Sequence, residues 1–220
     1  MQTGDGKVKM VPDDSMKPAS SALHSTAWCH DSRGAAYSFN QYLEMIISFH
    51  GHPAPGLVMG GKMVDLALDA MPDDCLFDAI VETGNCLPDA VSLLTPCTVG
   101  NGWLKVFDLG RFALALYDKQ TGAGLRVFLH PQKISVWKEI SDWFFKRRPK
   151  AEQDLGEVLK EMQRAGKNIL QADKIRVAPS VMAGSSLGKT ALCPQCGESY
   201  PLKHGNRCRA CQGASPYVAE

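Results

Sequence analysis

Two cysteine knuckles near the C-terminus, Cys193-Pro194-Gln195-Cys196 and Cys208-Arg209-Ala210-Cys211, constrain this chain more than any other feature. Eleven residues separate Cys196 from Cys208. Four thiolates complete a tetrahedral zinc shell at Zn–S distances of about 2.3 Å and leave no open coordination position. The predicted site at Cys193, Cys196, Cys208 and Cys211 is therefore structural. So short a segment has little core of its own, and metal binding must supply much of its folding energy. Gly197 and Gly213, just beyond the knuckles, suit tight turns. Iron is the chemical rival, because four thiolates also accept it. Lys203, His204, Arg207 and Arg209 decorate the finger, but no basic tract elsewhere supports nucleic-acid binding.

The rest of the chain is long enough for one substantial domain. It has 220 residues and a formal net charge of +1, from 24 basic and 23 acidic residues. That balance gives no reason to expect a polyanion or a membrane surface as partner. No apolar run approaches the roughly 20 residues needed to span a bilayer. The first 21 residues are polar and lack the apolar centre of a signal peptide. The expected location is the cytoplasm, where structural disulfides are disfavoured. The eight cysteines are then metal ligands, reactive thiols or small core residues.

Residues 1–36 are rich in Gly, Ser, Pro, Lys and Asp without sustained periodicity, and read as a flexible leader. Cys29 and His30 fall inside it without further ligands nearby. A core follows over 37–180, then a Gly/Ser-rich linker over 181–190, then the finger and tail over 191–220. Ser38 caps a predicted helix carrying Phe39, Leu43, Ile46 and Ile47 at helical spacing. A second helix is predicted over 57–71, with Gly60, Gly61 and Ala67 allowing close approach of another backbone. A strand over 76–83 precedes a short helix opened by Pro88 and ended before Pro96. Two apolar runs within 103–118, a turn at Lys119-Gln120-Thr121-Gly122 and a strand over 125–129 form hairpins. An aromatic-rich helix over 136–145 ends at Lys146-Arg147-Arg148-Pro149. That charge run reads as a solvated helix end complementing the dipole, with an anion contact as the alternative. An amphipathic helix is predicted over 155–170, and a short strand at Ile175-Arg176-Val177. Short helices and hairpins in this order point to an α+β fold with a mixed helix and antiparallel-sheet core.

A second constellation lies within that core. His50 and His52 flank a glycine in a Pro-rich loop. Cys86 precedes the Pro88 helix, whose amide N–H groups and dipole would favour a thiolate. Asp89, in that helix's first turn, either orients a histidine or complements the dipole. Cys97 follows the same helix. Read blandly, each histidine caps backbone carbonyls and each cysteine is a small hydrophobe. Cys75 has no such setting and reads as filler.

Three stretches carry a resemblance: Phe49-His50-Gly51-His52-Pro53-Ala54-Pro55-Gly56, Glu82-Thr83-Gly84-Asn85-Cys86-Leu87-Pro88-Asp89-Ala90-Val91, and Leu94-Thr95-Pro96-Cys97-Thr98-Val99-Gly100-Asn101-Gly102. Together with the finger they make the chain similar, over about 38–213, to the FmdE family of formylmethanofuran dehydrogenase components. The resemblance implies an α+β core with a treble-clef zinc finger and a homodimer. It also implies a cleft lined by His50, His52, Cys86, Asp89 and Cys97. Many family members carry a cysteine between the second histidine and the Pro-Gly pair, where this chain has Ala54, so a site needing that thiol is absent or altered. Two functions fit. In one, His50, His52 and Cys86 hold a second transition metal and serve metallocofactor handling or redox catalysis linked to molybdenum or tungsten enzymes. In the other, the chain is a non-catalytic accessory subunit that docks on a larger redox enzyme through core and finger.

Overall fold

The computed structural model describes residues 27–72, 74–183 and 188–218. Its sheet in the core has the order β4-β3-β5-β6-β7. The strands β3 (Phe77–Val81) and β4 (Leu104–Val106) run parallel, joined by a crossover. Antiparallel neighbours β5 (Ala113–Asp118), β6 (Ala123–Leu129) and β7 (Leu170–Arg176) complete the sheet. In the N-terminal region β1 (Cys29–His30) and β2 (Ala36–Tyr37) form a separate hairpin, and β8 (Thr190–Leu192) and β9 (Ser199–Pro201) form another in the finger.

Seven α-helices are defined among the described residues: α1 (Phe39–His50), α2 (Pro55–Leu68), α3 (Leu87–Leu94), α4 (Pro131–Ile134), α5 (Lys138–Phe144), α6 (Leu155–Ala165) and α7 (Pro179–Met182). Ser38 and Gln41 form a capping box at the start of α1, and Gly51, at φ 85°, ends that helix in the left-handed conformation. Pro55 opens α2 where its missing N–H costs nothing.

Nearly every side of α2 is buried, from Gly56 to Asp65. It packs on β5 and β6 and is flanked by α1, α3 and α6. Its glycines make this possible. A Cβ on Gly60 would meet Ala90 of α3 at 2.5 Å, and one on Gly61 would meet the Tyr42 ring of α1 at 2.3 Å. The Gly60-Gly61 pair thus serves packing within the chain and gives no support to the expected dimer.

Residues 27–36, read from sequence as part of a flexible leader, are instead folded onto the core; residues 1–26 lie outside the described residues. Trp28 and Cys29 are buried, and burial, assisted by the Asp65 carboxylate, pushes the Cys29 thiol up to about 12. The tie is Asp65 of α2, which accepts from the His30 backbone N–H at 2.9 Å and lies 2.8 Å from His30 Nδ1. Lys62, itself buried, and Lys167 complete the ion pairs around Asp65. Local composition conceals an anchor of this kind, because the partner lies 35 residues away.

The helix predicted over 155–170 stops at Ala165. Gly166 takes φ 52°, a 3₁₀ turn covers Gly166–Ile169, and β7 begins at Leu170. Ile169 and Leu170 are buried, so the apolar pattern ran on through the change of structure. On the sheet face opposite the alternate positions Ala79 and Val81 lie charged pairs: Lys105 with Asp78 at 2.9 Å, and Arg126 with Glu82 at 2.7 Å. No helix among the described residues is long and apolar enough to cross a membrane.

Candidate functional site

A cavity of about 770 Å³ opens between the start of α2, the start of α3 and the segment joining α5 to α6. His50, His52 and Cys86 all line it. His50 is the last residue of α1, and the Gly51 turn and Pro53 set His52 beside it, with ring centroids 4.7 Å apart. His50 Nδ1 lies 2.9 Å from Asp89 Oδ2. A carboxylate only accepts, so this contact keeps the proton on Nδ1 and leaves Nε2 as the basic nitrogen.

Cys86 is held from both sides. It is the N-cap of α3 with φ 58°, a conformation costly for a residue with a Cβ. Its sulfur rests against bare backbone at Gly56, where a Cβ would fall 2.6 Å away. The sequence predicts a thiolate here, and the structure reverses that. Burial pushes the Cys86 thiol up, the Asp89 carboxylate adds to the effect, and Lys146 and Lys150 oppose it without winning. Burial, which is not written beside Cys86 as a local signal, and a nearby carboxylate act against the thiolate.

Cys97 does not join this cleft. It is fully buried beyond the far end of α3, with its sulfur 3.8 Å from the Phe77 carbonyl oxygen. Asn101 folds the following loop by donating to the Pro96 carbonyl at 2.7 Å, and Cys97 stays a core residue. Ala54 lines the cleft where the resemblance would place a thiol.

Sequence reasoning missed the opposite wall. Trp143, Lys146, Arg148 and Lys150 face the cavity across from the histidines. From sequence Trp143 is one residue of an aromatic-rich helix, and the basic run reads as a solvated end with an anion contact as the alternative. Nothing local in the sequence signals that the loop between α5 and α6 closes over α2.

The finger carries the metal cage. The ligand atoms of Cys193, Cys196, Cys208 and Cys211 all lie within 4.8 Å of one another, the one such group of three or more among the described residues. Backbone N–H groups of Cys208 and Cys211 each point at a knuckle sulfur at 3.4 Å. The N–H groups of Cys208 and Cys196 pull the Cys193 thiol down to about 6, toward the ionised form that binds metal. His50, His52 and Cys86 share a cavity without forming such a closed group, so the fold supplies no ready cage for a bare second ion.

Two family models match the chain: "FmdE, Molybdenum formylmethanofuran dehydrogenase operon" over residues 49–177 and "FmdE treble clef zinc finger" over 184–218. The chain belongs to the FmdE family. Its four clustered cysteines are accordingly the ligands of a structural zinc. A crystal structure of a tungsten formylmethanofuran dehydrogenase FmdE-like protein from Syntrophus aciditrophicus is 50% identical, covers 83% of this chain and 96% of that one, and superposes with a TM-score of 0.76. A probable S-adenosyl-L-methionine-binding protein of Archaeoglobus fulgidus is 28% identical across an alignment 215 positions long that covers 86% of this chain and 57% of the relative. The FmdE chain thus spans little more than half the length of that curated relative.

Proposed function

We propose that this FmdE-family protein handles a metallocofactor in the core cleft, taking up a metal that arrives with ligands of its own. The contact between His50 and Asp89 carries the reading, because a carboxylate on Nδ1 fixes the ring as metal-binding histidines are fixed and leaves Nε2 as a donor. His52 and Cys86 add a nitrogen and a sulfur from the same cavity walls. Three donors that do not close on one point suit a metal already part-coordinated better than an aquo ion. Cys86 must lose its proton to bind, so uptake is favoured as pH rises.

The reading assigns the protein to the cytoplasm, where Cys86 stays reduced, and includes a homodimer, checked by light scattering at micromolar concentration. Metal analysis of protein purified from its native host tests the cleft. A second metal per chain, lost in Cys86→Ala with the zinc retained, is the expected result. One zinc alone would leave the competing reading, a non-catalytic accessory subunit on a larger redox enzyme.

S-adenosyl-L-methionine enters through the name of the archaeal relative. Trp143 gives its adenine an aromatic neighbour, but Lys146 and Lys150 repel its sulfonium. Weak binding by calorimetry is expected.

A further inference from the structure

Resting on the reading of the cleft as a cofactor site, we infer that its ligand is a flat molecule bearing a phosphate group, which Lys146 and Lys150 bind while Trp143 walls its planar part. The lining contains Lys146, Arg148 and Lys150 and no carboxylate, and Asp89, which acts on Cys86 from beside it, is paired with His50. Low-dielectric walls of one sign of charge focus the field on an incoming anion. Arg148 is already engaged, held by Glu139 and by Asp142 at 2.9 Å. Lys146 and Lys150 have no carboxylate partner among the described residues. With the guanidinium fork occupied, the two free charges are ammonium groups. Those suit a phosphate as point charges, whereas a carboxylate is best matched by the planar fork. Lys146 Nζ lies over the Trp143 ring, 5.6 Å from its centre, so a phosphate drawn to the ammonium brings the planar part of the same molecule to the indole.

The backbone at Lys146 adds a separate argument. This residue follows the C-cap of α5 with φ 55°, a position where helices usually carry glycine. A lysine there is strained, and its fold would be served better by Gly. What Gly cannot supply is the charge at the cleft. Cys86 and Lys146 are two of the three non-glycine residues at positive φ among the described residues, and both line the same cavity.

The test is calorimetric titration of the zinc-loaded full chain, free of other transition metals, with adenosine monophosphate, adenosine and inorganic phosphate. Adenosine monophosphate should bind about tenfold tighter than adenosine, a difference of one charge-assisted contact or more. Inorganic phosphate should bind more weakly than adenosine monophosphate, for want of a flat part. Lys146→Gly should weaken the monophosphate by a similar factor, leave adenosine unchanged and keep or raise the melting temperature. Lys150→Gln, at an exposed 3₁₀ turn, should weaken the monophosphate independently of any backbone effect. Equal affinity for the monophosphate and the nucleoside, retained affinity in both variants, or no monophosphate binding at about 1 mM would each overturn the inference. Failure of the metallocofactor reading shows separately, as an unchanged metal content in Cys86→Ala.

Discussion

The sulfur of Cys86 occupies the space in which a side chain on Gly56 would begin, 2.6 Å from where that Cβ would lie. The two residues are 30 positions apart and meet at the floor of the cleft. Gly56→Ala should push Cys86 toward the cavity or deform the start of α2, at a cost of about 1–3 kcal/mol for overpacking. Thermal melting reads the cost. Alkylation of Cys86 in a Cys75→Ser background reads the displacement, and an unchanged rate would show that the contact does not hold the thiol in place.

The finger should be separable from the core. Cys193→Ser is expected to release one zinc and leave 190–218 open to proteolysis, because a thiolate shell missing one member no longer supports so small a segment. Core melting should be unaffected. Full zinc content in the variant would contradict the tetrathiolate assignment.

Asp65 should be the residue whose loss frees the N-terminal hairpin. Asp65→Asn leaves Lys62 buried without its counter-charge, which costs about 3 kcal/mol. The fluorescence of Trp28, whose ring lies 4.5 Å from Lys62 Nζ, should shift toward that of exposed tryptophan. Wild-type fluorescence in a destabilised variant would mean the hairpin is held elsewhere.

Glu82 links stability to pH. The hydrogen bonds from Arg126 hold its carboxyl below the usual 4.5, with burial opposing and Arg111 assisting. A depressed carboxyl contributes stability that is fully present above its unfolded value and is lost as pH falls through the folded one. Glu82→Gln should therefore be about 2 kcal/mol less stable than wild type at neutral pH, the buried-pair cost reduced for partly exposed arginines. That deficit should shrink as pH falls below 4.5. Urea titrations across the acid range measure it, and a constant deficit would assign the effect to packing.

The features legible in the sequence were those written locally. Ser38 and Pro88 mark helix starts by their own stereochemistry, and the spacing of the finger cysteines defines their site. What the sequence concealed was long-range. The anchor of His30 on Asp65, the closing of Trp143 and Lys146 over the cleft, and the burial that acts against a thiolate at Cys86 each depend on residues distant in the chain. Periodicity also failed at Ile169 and Leu170, since buried residues look alike in a helix and in a strand.

Enclosure of α2 has a kinetic consequence. Its amides reach solvent only when the sheet and the flanking helices part, so they should be among the slowest in the molecule to exchange hydrogen for deuterium. The same helix begins at the cleft with Gly56 and carries Asp65 about 14 Å farther along its axis. The floor of the cleft thus belongs to the last cooperative unit to open, while its basic rim hangs on the strained end of a seven-residue helix. A ligand entering there meets one wall whose backbone is among the last to open and another whose position is set by the packing of α5 on α6.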